Sequence, residues 1–110
     1  FQMFDIGWIA DYPDPENFLD ILFYSDSSNN HTNYNNPEVD RLLERARTET
    51  DQTARYQLYH RAEQQILDDA PWVPLWYSGE RYLLLKPNVK DYYLTPLIIP
   101  RLRYVYLTDD

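Results

Sequence analysis

The sequence of 110 residues contains no cysteine, two glycines and one methionine. Without cysteine there is no disulfide, no thiolate metal ligand and no thiol nucleophile, although compartment stays open because many exported domains also lack it. Two glycines are too few for a phosphate-cradling loop. Basic residues are scarce as well: ten Lys and Arg are dispersed among eighteen Asp and Glu, for a net charge of -8. Nucleic acid, which needs concentrated cations, is therefore disfavoured as a partner, and the charge mainly favours solubility. No apolar run approaches the roughly 18 residues of a membrane span, and no signal peptide is visible. The opening, FQMFDIGWI, has neither a Met start nor a leader and reads as a chain that begins mid-fold, a fragment whose export address, if any, lies elsewhere.

What remains is globular in kind. A hydrophobic share of 44% with 25% charged residues supports one modest core rather than several domains. Residues 2 to 9, QMFDIGWI, mix β-formers with alternating polarity and predict a strand. Pro13 and Pro15 stop it. Asp14, Pro15 and Glu16 then give a side-chain acceptor at the N-cap, a proline pre-set at the first helical position and an acid in the positive first turn. The helix so opened covers residues 15 to 25, with Phe18, Leu19, Leu22 and Phe23 as its inward stripe.

SDSSNNHTNYNN, residues 25 to 36, is a surface loop of turn formers. Asn36 and Pro37 repeat the cap-plus-proline signal and open a helix over 37 to 49 that lines up Val39, Leu42, Leu43 and Ala46. Asp51 caps a third helix over 52 to 69 with Leu58, Tyr59, Ala62 and Ile66 on its inner face. The short link between these two predicts an αα-hairpin. Past Pro71 the period changes: VPLWYS (73 to 78), RYLLLKP (81 to 87), NVKDYYL (88 to 94) and RLRYVYL (101 to 107) read as strands, the last two separated by TPLIIP.

Catalytic sets are hard to assemble from these residues. His31 and His60 have no i,i+4 ligand partner, and Ser25, Ser27, Ser28 and Ser78 sit in no GxSxG context. Paired acids such as Asp68 with Asp69 have plainer roles at helix ends and in the tail. Neither an enzyme nor a metal or other cofactor site is expected. The eleven tyrosines and three tryptophans are a surplus that a recognition surface uses well, though Tyr56, Tyr59, Tyr92 and Tyr104 could each simply pack.

Asp11 is the odd acid, for it neither caps a helix nor pairs with a base at i,i+4. At the end of the first strand its carboxylate would suit a primary ammonium group, with charge-assisted hydrogen bonds and a cation–π contact from Trp8. An Asx-turn closing on Pro13 accounts for it as well. Local sequence leaves both open.

The motifs taken together resemble a known family. W-x-A-D-Y-x-D-P from Trp8, N-Y-x-N-P-E-V-D from Asn33, R-x-x-L-Y-x-x-A-E-Q from Arg55 and D-A-P-x-V-P-L from Asp69 run in order along the chain. In this they are similar to the C-terminal third of bacterial extracytoplasmic solute-binding proteins of the peptide-binding family (family 5), which serve ABC importers. The resemblance implies an α/β chain, mixed α+β in this segment, from a two-lobed type II periplasmic-binding-protein fold. Residues 1–78 would belong to the C-terminal ligand-binding lobe, and residues 79–110 to the crossover and strands returning to the N-terminal lobe. It implies that Asp11 pairs with the free α-amino group of a di- or oligopeptide, that Trp8 lines the same pocket, and that Ile9 and Ala10 present backbone to the ligand. Implied partners are the peptide and the permease subunits of the transporter, with the membrane met only through that transporter or an N-terminal lipid anchor. Implied location is the periplasm or the outer face of the cell membrane. An oligosaccharide or other solute on the same scaffold, and a small stand-alone interaction module built on the αα-hairpin, are the competing readings.

Overall fold

A computed structural model of the protein describes residues 3–77, 83–94 and 101–109. The chain divides into two compact units, Phe1–Pro74 and Leu75–Asp110. The first holds three helices, α1 (Glu16–Phe23), α2 (Pro37–Thr48) and α3 (Gln52–Asp69); the second holds a two-stranded antiparallel sheet of β1 (Val89–Lys90) and β2 (Tyr106–Leu107). The class is mixed α+β.

Local chemistry explains where the helices start. Asn36 stands in extended conformation and its side chain accepts from the backbone N–H groups of Glu38 and Val39, while Pro37 gives up no hydrogen bond by standing first. Asp51 accepts from the N–H of Ala54 in the same way. At α1 Pro15 already has helical φ and ψ, and Asp14 caps just ahead of it, as expected, by accepting from the N–H of Glu16 at 2.9 Å. α3 stops at Ala70, held left-handed at φ 48°, because Pro71 can neither donate nor continue the helix.

The core lies among the three helices: Leu22 and Phe23 from α1, Val39, Leu42, Leu43 and Ala46 from α2, Leu58, Tyr59, Ala62 and Ile66 from α3. For α2 and α3 these are the inner faces that helical periodicity selects, and the two helices pack as the expected αα-hairpin. In α1 the stripe is rotated. Phe18, expected inside, is 41% exposed, whereas Asn17 and Asp20 are buried and Leu19 packs only at the edge. The polar groups go inward because partners await them: Trp8 for Asn17, and Arg47 of α2 for Asp20.

Residues 25 to 36 form an ordered loop wound around the buried Asn30. Its amide donates to the carbonyls of Tyr24 and Tyr34 (3.3 and 2.7 Å) and its oxygen accepts from the Tyr34 N–H at 3.0 Å. Asp69 at the end of α3 accepts from the Tyr34 hydroxyl at 2.6 Å and from the Asn36 amide at 2.7 Å, tying the far side of the loop down. Phe23 meets Trp72 and Tyr34 edge-on with ring centroids 5.1 and 6.3 Å apart.

Strand expectations are largely corrected. Residues 3–9 carry no ladder, since among the described residues no second strand lies beside them to accept their backbone bonds, and residue 2 falls outside the described part. Residues 73–77 and 83–86 are likewise not strand, and residues 78, 81 and 82 lie outside the described part. The expected strand over 88 to 94 shrinks to β1, ended by Asp91 at φ 60°; that over 101 to 107 becomes a 3-10 turn, Leu102–Tyr104, followed by β2. TPLIIP, residues 95 to 100, lies outside the described part. Of the tyrosines weighed as packing residues, Tyr59 is in the core, Tyr92 is half-buried, and Tyr56 and Tyr104 are exposed.

Candidate functional site

The segment from Gly7 to Asp14 is held by the first turn of α1. Two prolines force the chain to reverse: the N–H of Asp14 donates to the carbonyl of Tyr12 at 2.9 Å, and the N–H groups of Phe18 and Leu19 both find the carbonyl of Pro15. The reversal lays residues 8 to 11 alongside Asn17. Trp8 donates its indole N–H to the Asn17 carbonyl at 2.8 Å and, less closely, to its side-chain oxygen at 3.2 Å. That same oxygen accepts the backbone N–H of Asp11 at 3.1 Å.

The expected site residues thus take distinct stations. Trp8 is half-buried, with its ring packed on the helical core and its N–H already engaged. Ile9 is exposed and Ala10 half-buried, both without ladder partners among the described residues. Asp11 is fixed at its backbone, yet its carboxylate is exposed and has no hydrogen-bond partner among the described residues. The Asx-turn alternative finds no support, because Pro13 has no N–H to donate and the Asp11 carboxylate accepts no hydrogen bond among the described residues.

Around this segment the electrostatics are tightly paired. Tyr12 donates to Glu16 at 2.6 Å, and that carboxylate pushes its hydroxyl pKa up. Asp14 receives two parallel hydrogen bonds from Arg55 of α3, which hold its carboxyl below the usual carboxylate range. Asp20 is the reverse case. Burial pushes its carboxyl up, and the ion pair with Arg47 only partly counters the shift. Of the acids named here, Asp11 is the one whose carboxylate has no partner among the described residues.

Sequence reasoning missed Asn17 and Arg55. Asn17 reads as an ordinary first-turn residue, and its only signal was negative: a polar residue on what proves to be the inward side. Arg55 lies 41 residues from Asp14, a separation over which no local pattern speaks. Both histidines are exposed, and no metal-binding cluster occurs among the described residues. No described helix is long and apolar enough to cross a membrane. A concavity of about 420 Å³ in the second unit is lined by Asp91, Tyr93, Arg101 and Tyr104 and includes none of the expected site residues.

No family model matches the chain. Individual proteins do. It is 34% identical to the oligopeptide-binding protein OppA of Bacillus subtilis over 106 residues, 96% of this chain and 18% of that protein. It is 40% identical to the periplasmic oligopeptide-binding protein OppA of Salmonella typhimurium over 92 residues, 84% of this chain and 17% of that protein. Heme-binding protein A of Haemophilus influenzae is 37% identical over 92 residues, 82% of this chain and 17% of that protein. All three carry the names of binding proteins rather than enzymes, and the chain spans less than a fifth of the length of each. These similarities, one of which covers 96% of the chain, bear out its resemblance to the peptide-binding family of solute-binding proteins, family 5.

Proposed function

We propose that this chain is part of the solute-binding component of an ABC importer, a protein that binds di- or oligopeptides in a cleft between two lobes and delivers them to membrane permease subunits. Residues 1–78 contribute to the C-terminal ligand-binding lobe, and residues 79–110 belong to the segment returning to the N-terminal lobe. The Asp11 carboxylate pairs with the α-ammonium group of the peptide, Trp8 lines the same pocket, and Ile9 and Ala10 offer backbone to the ligand. The protein works in the periplasm or on the outer face of the cell membrane. It carries out no chemical step.

One observation carries this reading: Asp11 is anchored at its backbone while its carboxylate stays exposed and unengaged among the described residues. Such a group has lost part of its freedom before the ligand arrives, so pairing with an ammonium orders less on binding. The two relatives named for oligopeptides support the ligand class. Titration of the protein carrying this segment with a free peptide and with its N-acetylated twin tests it. The free peptide is expected to bind about tenfold more tightly or better, and Asp11→Asn to remove the difference. Equal affinities in the unmodified protein overturn the ammonium role.

The similarity to a heme-binding protein favours a second reading, in which the same scaffold takes a solute other than a peptide. Mass spectrometry of what co-purifies with the protein separates the two.

A further inference from the structure

We infer that Asn17 is a positioning residue for ligand selection, whose side-chain oxygen holds the backbone of Asp11 so that its carboxylate meets a free amino terminus. The inference rests on the proposed ammonium role of Asp11.

Asn17 is fully buried in the first turn of α1, and its Oδ1 accepts from the Asp11 N–H at 3.1 Å and from the Trp8 indole at 3.2 Å. The two bonds differ in redundancy. Trp8 keeps a better acceptor in the Asn17 backbone carbonyl, at 2.8 Å, which any residue at this position would supply. The Asp11 N–H has only the side-chain oxygen among the described residues. The side chain's particular contribution is therefore to Asp11, not to Trp8.

Stability alone gives a poor account of an amide here. Its Nδ2 is buried with no hydrogen-bond partner among the described residues, and burying a donor without a partner costs free energy that an apolar residue of similar size would not incur. What the amide contributes is an acceptor at a fixed place, one residue inside the helix start. Because the helix, not the loop, sets that place, the carboxylate of Asp11 is presented from a rigid support.

The test compares affinities for a free peptide and its N-acetylated twin in the protein carrying this segment. Asn17→Ala leaves the Trp8 tether to the backbone carbonyl but removes the acceptor for Asp11. The preference for the free peptide is expected to fall about fivefold or more, with affinity for the acetylated peptide almost unchanged. Asn17→Asp keeps an acceptor oxygen and is expected to retain most of the preference. Asp69→Asn, which loosens a remote contact, serves as the destabilised control and leaves it intact.

If Asp11→Asn abolishes the preference while Asn17→Ala keeps it, the positioning role is overturned and the ammonium role stands. If Asn17→Ala weakens both peptides equally, Asn17 is structural only and the inference also fails. If Asp11→Asn leaves the preference unchanged, the ammonium role itself is wrong, and the inference goes with it. Should Asn17→Ala not fold, Asn17→Ser is read by the same outcomes.

Discussion

Arg55 grips Asp14 with two parallel N–H···O bonds of 2.9 and 2.8 Å across 41 residues of sequence. The same guanidinium donates through its Nε to the Ala46 carbonyl at 3.2 Å and lies over the Tyr59 ring at 4.9 Å. One side chain of α3 thus joins the start of α1, the end of α2 and its own helix.

Removing that hub has a measurable cost. Arg55→Met is expected to destabilise the protein by about 1–2 kcal/mol, the partial exposure of both partners screening the larger loss of a buried pair. Urea midpoints for the single variants and for the Asp14→Asn, Arg55→Met double variant check it. Strictly additive losses would show that the pair is not coupled.

The acids of α1 predict opposite responses to pH. Asp14 is held below its ordinary value of about 3.9 by Arg55, so its contribution is complete above that value and is lost as pH falls through the lowered pKa. Asp20 is held above its ordinary value by burial, so its contribution is present below about pH 3.9 and is lost as pH rises through the raised pKa. Stability is therefore expected to climb more steeply with pH in Asp20→Asn than in the unmodified protein, and less steeply in Asp14→Asn. Unfolding midpoints between about pH 3 and 6 read both slopes, and an unchanged slope in either variant refutes its assignment.

Leu43 is fully buried in the core of the helical unit. Its truncation to alanine removes three carbons where the surroundings can collapse only in part, and a loss of about 2–5 kcal/mol is expected. Thermal unfolding measures this, and a loss below about 1 kcal/mol would mean that the helices do not pack as described.

Asn30→Ala tests whether the polar loop is ordered by one side chain. It strips partners from the Tyr24 and Tyr34 carbonyls and from the Tyr34 N–H, with an expected cost of about 1–3 kcal/mol. Limited proteolysis is expected to cut between residues 25 and 36 in the variant and not in the unmodified protein. Equal resistance in both would place the loop's order elsewhere, in the Asp69 contacts to Tyr34 and Asn36.

Much of the helical unit was legible in the residues themselves. The spacing of Val39, Leu42, Leu43 and Ala46, and of Leu58, Tyr59, Ala62 and Ile66, names the buried faces of α2 and α3, and the Asn36 and Asp51 caps mark their starts, because helix bonds and caps join residues at most a few positions apart. α1 was half legible. A stripe drawn through Phe18 ignores that Asn17 and Asp20 find partners in Trp8 and Arg47, and these partners are supplied by other parts of the chain.

Strands failed for a related reason. Alternation over residues 2 to 9 shows that a segment can pair, but a ladder needs a second segment beside it, and no composition rule supplies one. What the sequence by itself determined was helix placement, the facing of α2 and α3 and the likeness to peptide-binding proteins, all carried by short-range order along the chain. Only the tertiary structure decided that Asp14 serves Arg55, that Asn17 holds Asp11, and that the Asp11 carboxylate is left open to solvent. Those are contacts between residues brought together by folding, and their energies depend on burial and distance, which no local pattern encodes.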